Sequence, residues 1–257
     1  MTDPVFVIAV GLIGLLVGSF LNVCIYRLPK HETVLWGRSH CLTCGRQIHA
    51  WENIPVVSFV VLGGKCAGCK TPLSWQYPIV ELVTAITFAA GAWLFGPTWL
   101  LVSRLLFAAA MIVLFTVDLN ERLLPNMVTL PGILVGLAFS LFTPPGFRDA
   151  LIGAIACSLV LWGTGEVVSR VMGKDALGFG DVKMVAMMGA FLGWKLTLVS
   201  LFLASSLGSV LGIAIVAITR NREYMLPLGS FLAVGGIAAA AFGDPLIAWY
   251  VGNLLGR

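Results

Sequence analysis

Two aspartates lie beside long apolar segments, where a carboxylate needs a functional reason. Asp118 follows the run MIVLFTV, and Asp181 lies in GFGDVKMVAMMGAF, directly before another apolar run. Ionisable groups at membrane depth are costly, so we interpret both as candidate catalytic residues. If the fold brings them together they can share a proton, with one activating water and the other protonating or polarising a carbonyl group. The alternative is that both aspartates are solvated residues at helix ends.

The surroundings of the two acids predict different roles for them. Gly178 and Gly180 precede or flank Asp181 and allow an extended backbone, such as that of a substrate, to approach closely. Asp181 is predicted at a helix N-terminus near Lys183, whereas Asp118 is predicted at a helix C-terminus. We therefore expect the charge on Asp181 and the shared proton on Asp118.

Four cysteines form a second pattern that could do chemistry. Cys41 and Cys44 make one CxxC pair, Cys66 and Cys69 make another, and 21 residues separate the pairs. Such spacing places four thiolates around a tetrahedral zinc ion. Because all four positions would be occupied by thiolates, the ion is expected to be structural. Disulfides are the alternative, and they are rare in a reducing cytosol.

The composition defines the class of fold that must position these residues. Apolar residues make up 59% of the chain, charged residues 11%, and the mean hydropathy is +0.97. These values predict an all-α polytopic membrane protein. Apolar runs near 20 residues predict about eight transmembrane helices, at 5–26, 79–96, 98–117, 126–143, 150–171, 182–194, 197–219 and 226–250. The sixth is short, and Asp244 and Pro245 are expected to break the eighth. Glu81 is expected to open the second, where an N-terminal carboxylate favours the helix dipole.

The basic residues predict the orientation of these helices. Twelve of the sixteen Lys and Arg residues fall in one set of loops and three in the other, while Arg104 lies within a helix. Cytoplasmic loops carry such an excess, so both termini are expected outside and the cysteine loop inside. The net charge of +4 therefore reflects topology and gives no reason to expect nucleic-acid binding. The predicted domains are a first transmembrane helix (1–27), a cytosolic zinc-binding domain (28–78) and a transmembrane aspartyl peptidase domain (79–257).

Several segments together resemble a known family. GFGD matches the GxGD motif of membrane aspartyl proteases, and GLLVGSFLNVCIYRLP, the cysteine loop and VDLNERLLPN resemble bacterial type IV prepilin peptidases. The resemblance implies cleavage, after a glycine, of the basic leaders of type IV prepilins and type II secretion pseudopilins. It also implies methylation of the new N-terminus with S-adenosylmethionine, in the cytoplasmic (inner) membrane. Its catalytic pair maps onto Asp118 and Asp181, while Asn126 stands where many members have an acid.

The methyltransferase half has weaker sequence support. No GxGxxG motif follows a predicted strand, and the chain has no room for a soluble nucleotide-binding domain. The resemblance places this activity in the cytosolic loop, with Gly64 as the residue carried over. Glu52, Asn53 and Pro55 of ENIP are further candidates, and a turn that orders the zinc loop is their alternative role.

Three other functions are alternatives to this interpretation. A cation- or proton-coupled transporter with a zinc-bound regulatory loop would show internal repeats with paired acids, and the contexts of Asp118 and Asp181 are unlike. A different GxGD protease and a non-catalytic scaffold fit the zinc loop and the acids less well. Glycines at 14, 18, 208 and 212 predict close helix contacts, either internal or between subunits of a homo-oligomer.

Overall fold

The computed structural model describes residues 2–34, 36, 39–41, 43–173, 177–219 and 227–254, and it confirms an all-α fold. Within these residues the extended pairing consists of two isolated antiparallel bridges. A π-helical stretch, Gly153–Cys157, joins α6 to α7. The helices are α1 (Pro4–Arg27), α2 (Val57–Val61), α3 (Gln76–Phe95), α4 (Trp99–Glu121), α5 (Asn126–Ser140), α6 (Phe147–Ile152), α7 (Ser158–Met172), α8 (Phe179–Thr219) and α9 (Leu228–Leu254).

The apolar helices account for the segments predicted from hydropathy. Six spans among the described residues are long and apolar enough to cross a membrane, and α5 is a shorter apolar helix of 15 residues. Two predicted segments lie within α8, which Gly193 divides with φ 73° and ψ 172°. The eight predicted segments therefore correspond to α1, α3, α4, α5, α6 with α7, the two halves of α8, and α9. The protein is a multi-pass membrane protein.

Two local predictions were wrong. The chain does not break at Asp244 and Pro245, because α9 continues through them to Leu254; membrane helices tolerate proline where neighbouring groups satisfy the freed backbone. Glu81 does not open α3, which begins at Gln76, where Pro78 is accepted in the first turn. Glu81 lies one turn further along and is buried, so the helix dipole does not explain it.

The first compact unit, Met1–Leu101, depends on close packing of α1 against α3. A Cβ atom on Gly18 would lie 2.7 Å from the Cα atom of Glu81, and one on Gly14 would lie 2.8 Å from that of Ala85. The prediction of close contacts at these two glycines is confirmed, and the contacts are internal. Gly208, in contrast, makes only ordinary van der Waals contact with Phe231.

The second unit, Val102–Arg257, is built around the first half of α8. Methionines and a phenylalanine from this half fill the core together with large side chains of α4. Gly189 of α8 contacts the backbone of Gly153 in the π-helical stretch, where a Cβ atom would overlap the carbonyl carbon. The buried side chains at this centre are Met184, Met187, Met188, Phe191, Phe107, Met111 and Leu114.

Substituting Gly189 by alanine tests this backbone contact. We expect Gly189→Ala to destabilise the protein by about 1–3 kcal/mol, because backbone cannot yield as a side-chain tip can. The matched control is Gly163→Ala in α7, where a Cβ atom meets nothing within 4 Å; it should be neutral or stabilising by up to about 1 kcal/mol. The measurement is the thermal unfolding midpoint in one detergent. Equal midpoints for the two variants would contradict the packing described.

Candidate active site and metal centre

Asp118 lies in the last turns of α4, and the local sequence explains where that helix ends. Arg122 adopts a left-handed conformation with φ 52°, and its amide donates to the carbonyl of Asp118. Pro125 follows and opens α5, since a proline cannot continue the preceding helix. The carboxyl group of Asp118 is thus held at a helix end, yet the residue is buried, with 6% of its surface exposed.

The Asp118 carboxylate binds the N-terminus of α9. Its Oδ2 atom accepts hydrogen bonds from the Ser230 amide at 2.6 Å and from the Ser230 hydroxyl at 2.9 Å. The first amides of a helix have no partner within the helix and favour a negative charge. A Cβ atom on Gly229 would lie 3.0 Å from Oδ2, so the approach needs glycine. Gly229 and Ser230 were not predicted from the sequence as site residues, although GS before an apolar run is typical of a helix start.

Asp181 lies in the first turn of α8, and its backbone amide donates to the Gly178 carbonyl at 3.1 Å. The predicted roles of Gly178 and Gly180 in substrate approach stay predictions. Here, a Cβ atom on Gly180 would lie 3.1 Å from that of Leu124, and one on Gly229 would lie 3.1 Å from Cδ1 of Leu124. The leucine of the LLPN turn therefore packs against the starts of both α8 and α9.

The structure brings the two acids close enough for their carboxyl groups to interact electrostatically. The predicted distribution of charge stays a prediction, but the hydrogen bonds to Asp118 argue against it. Two hydrogen bonds to a carboxylate stabilise its anion by about 1.5–3 kcal/mol each, more than the roughly 0.3–1 kcal/mol of a helix dipole. The donors from Ser230 therefore favour the charge on Asp118 and the shared proton on Asp181. Lys183 donates instead to Asn126 Oδ1 at 2.7 Å.

The four predicted cysteine ligands form one cluster. Their Sγ atoms all lie within 4.8 Å of one another, and Cys41 and Cys69 are 3.7 Å apart. A tetrahedral zinc ion with bonds near 2.3 Å would separate its sulfur ligands by about 3.8 Å. All four are free cysteines, so the disulfide alternative is not the arrangement found. The residues present fit zinc, which would cross-link the loop when bound.

Backbone geometry and hydrogen bonds prepare this cluster for a cation. In each CxxC pair the amide of the first cysteine donates to a carbonyl beyond the pair, from Cys41 to Arg46 and from Cys66 to Thr71, and the carbonyl of that cysteine accepts from the amide of Gly45 or Lys70. Hydrogen bonds from Thr71 lower the pKa of Cys69 to about 6. The Arg46 amide lowers the pKa of Cys44, but the nearby Cys41 thiolate and burial outweigh it and raise that pKa to about 11. Cys44 and Cys69 therefore differ in how readily they ionise, and a bound cation would favour the thiolate form of all four cysteines.

Glu52 ties the first cysteine turn to the ENIP segment. Its Oε1 atom pairs with Arg46 at 2.8 Å, and its Oε2 atom accepts the His49 amide at 2.9 Å. The hydrogen bond from Arg46 is the main reason why the pKa of Glu52 lies below its usual range. Both carboxylate oxygens thus bind residues of the loop. These contacts support the alternative role of ENIP, a turn that orders the zinc loop. A cofactor-binding role for Glu52 stays a prediction.

The first unit also contains a cavity of about 420 Å³ beside the cysteine loop. Asn53 and Glu52 line it, whereas Gly64 does not. Gly64 has φ 66°, and a Cβ atom there would lie 3.1 Å from the Phe59 ring, which does line the cavity. Gly64 can therefore influence the cavity through the position of Phe59.

Metal analysis of the purified protein tests the cysteine cluster. We expect about one zinc ion per chain, and loss of most of it in Cys41→Ser, because one thiolate of four is removed. Cys157→Ala is the matched control, since Cys157 is also buried but lies outside the cluster. The readout is zinc content by mass spectrometry together with free-thiol counting. Metal-free protein with the four cysteines oxidised to disulfides would contradict a zinc site.

Comparison with known proteins agrees with this geometry. Residues 12–95 match the Bacterial Peptidase A24 N-terminal domain, and residues 105–213 match the Type IV leader peptidase family. Proteins named prepilin leader peptidase/N-methyltransferase are 37% identical in Pseudomonas aeruginosa and 36% identical in Aeromonas hydrophila, with 96% of this chain and 93% and 94% of those proteins covered. A protein of that name in Burkholderia pseudomallei is 36% identical over 91% of this chain and 84% of its own length. No solved structure matches significantly. The chain belongs to the type IV leader peptidase family.

Proposed function

We propose that this protein is a bifunctional prepilin leader peptidase and N-methyltransferase. The observation that carries the proposal is the meeting of two aspartates from distant helices, Asp118 at the end of α4 and Asp181 at the start of α8. The names of its relatives support the same two activities. No observation favours the transporter, the different GxGD protease or the scaffold considered above.

The two carboxyl groups have complementary roles in peptide hydrolysis. Asp118, charged by its contact with Ser230, accepts a proton from water, and the hydroxyl oxygen bonds to the scissile carbonyl carbon. Asp181 gives its proton to the carbonyl oxygen. Addition of the hydroxyl group and this protonation together produce a neutral tetrahedral intermediate. When the C–N bond breaks, the nitrogen takes the proton held by Asp118, the hydroxyl proton returns to Asp181, and a carboxyl group and an amine are released.

The proposed substrates are type IV prepilins and the similar pseudopilins of type II secretion. These have a basic leader followed by an apolar helix, so the bond after the leader glycine lies at the membrane surface. The first half of α8, residues 179–192, is about 21 Å long and cannot span a hydrocarbon core of about 30 Å. We place this site and the zinc loop at the cytoplasmic face of the inner membrane and both termini outside, following the distribution of basic residues.

The second proposed activity uses the cavity of the first unit. S-adenosylmethionine, when bound, supplies a methyl group whose bonding pair stays on sulfur, while the pilin amine forms the new N–C bond and releases a proton. Asn53 lines the cavity, and Gly64 positions the Phe59 ring in its wall. The carbonyl oxygen of the Asn22 side chain is buried and has no hydrogen-bond partner among the described residues, which supports a polar ligand in this cavity.

Isosteric substitution of the two aspartates tests whether leader cleavage and methylation use separate sites. We expect Asp118→Asn and Asp181→Asn each to abolish leader removal, because neither amide can transfer the required proton. Both variants should still methylate a pilin supplied without its leader, since the cavity belongs to the other unit. Mass spectrometry of pilin co-expressed with each variant reports cleavage and methylation separately. Normal leader removal by either variant would refute its assignment as catalytic.

Ser230 provides a graded test of the charge on Asp118. Ser230→Ala removes the hydroxyl donor but keeps the amide, so we expect cleavage to slow about tenfold without being lost. Ser200→Ala is the matched control, because that buried hydroxyl donates within its own helix to Leu196. Single-turnover cleavage rates of purified protein would measure both. Equal rates for the two variants would mean that the hydroxyl of Ser230 does not support catalysis.

A further inference from the structure

We infer that the cavity of the first unit binds the methyl donor through its positive charge, with Asn22 of α1 and Glu81 of α3 as the recognising acceptors. The inference rests on the proposed methyltransferase function and names two helix residues outside the cysteine loop. The volume of about 420 Å³ lies in the range of small-molecule sites. Asn22, Glu81 and the rings of Tyr26 and Tyr77 all line it.

Asn22 carries an acceptor that nothing in the described protein satisfies. The residue is 4% exposed, and its Nδ2 atom donates to the Tyr77 carbonyl at 3.1 Å. That hydrogen bond fixes which end of the amide is the oxygen, because a carbonyl can only accept. The Oδ1 atom is buried without a hydrogen-bond partner. A buried acceptor left unpaired is destabilising, so a donor on a ligand in the cavity would explain its retention.

Glu81 brings a second acceptor to the same cavity. It is 7% exposed, and its Oε2 atom accepts the Val56 amide at 2.8 Å. Ser19 of α1 also hydrogen-bonds this carboxyl group. A carboxylate has about four acceptor positions on its two oxygens, so these contacts leave capacity for a ligand. Glu81 therefore anchors the loop at Val56 and still offers negative charge to the cavity.

The cavity is also lined by the basic residues Arg27, Arg46 and Lys65 and by the acids Glu32 and Glu52. Arg46 is paired with Glu52, and Arg27 donates to the carbonyls of Thr33 and Trp36. Tyr26 already holds a cation, since the Lys30 ammonium lies 3.5 Å from its ring centroid. Aromatic rings and buried acceptors together bind cations better than neutral groups. S-adenosylmethionine carries a sulfonium and an ammonium, whereas its product S-adenosylhomocysteine has lost the sulfonium charge.

This difference between donor and product provides a test that a merely structural role would not pass. Glu81→Gln keeps an oxygen for the Val56 amide but removes the charge. We expect it to weaken S-adenosylmethionine binding about tenfold and S-adenosylhomocysteine binding much less. Isothermal titration of the full-length protein in detergent with each compound measures the ratio. Glu166→Gln, an exposed acid paired with Arg170 in the second unit, is the matched control.

Asn22→Leu tests the unpaired acceptor independently. It should weaken binding of both compounds about tenfold, because the hydrogen bond from the ligand is lost, and Asn253→Leu on the exposed surface of α9 should not. Zinc content and leader cleavage report whether each variant remains folded. If Asn22→Leu does not fold, Glu81→Gln alone decides the inference.

The outcomes separate this inference from the proposed function. Wild-type protein that neither binds S-adenosylmethionine nor methylates pilin would refute the proposed methyltransferase itself. Wild-type protein that binds and methylates, with both variants retaining full affinity, would overturn only the inference. An equal loss of affinity for the two compounds in Glu81→Gln would also overturn it, because Glu81 would then not recognise the sulfonium charge.

Discussion

The hydrogen bonds from Ser230 to the buried Asp118 carboxylate organise the peptidase unit. An uncompensated charge at this depth would be costly, and the start of α9 supplies an amide, a hydroxyl and the positive end of a helix dipole. The interaction joins residues 112 positions apart in the chain. It fixes where α9 begins relative to the end of α4, and in the proposed mechanism it also selects which aspartate carries the charge. The fold and the proposed catalytic charge thus depend on one contact.

The LLPN turn and α8 complete this arrangement. Leu124 packs against Gly180 and Gly229, so the starts of α8 and α9 meet the end of α4 at one small hydrophobic contact. The first half of α8 then passes through the centre of the unit, where its methionines fill the core. Gly189 and Gly153 bring its backbone against the π-helical stretch. The position of Asp181 therefore depends on packing along the whole of this half-helix.

Sequence patterns predicted what depends on single residues and short spacings. Eight apolar segments, four clustered cysteines and the meeting of two acids all follow from hydropathy, spacing and motif. The hydrogen bonds to Asp118 did not, because the donors are distant in sequence and a helix dipole was the only local guide. Pro245 was misjudged for the same reason, since neighbours decide whether a membrane helix tolerates proline. Glu81 was predicted to start a helix from the hydropathy boundary. Its true partner, Val56, lies in a loop whose conformation hydropathy does not describe.

Both units use a buried acid in the same way. Asp118 accepts a hydrogen bond from the amide of Ser230, and Glu81 accepts one from the amide of Val56, a residue with φ 60°. In a medium of low dielectric constant each amide needs an acceptor, so the acid determines where a distant segment lies. The same carboxylate also has acceptor positions left for a proton or a cationic ligand. Replacement by the isosteric amide keeps the first role and removes the charge, and it can therefore separate placement of the chain from chemistry in both units.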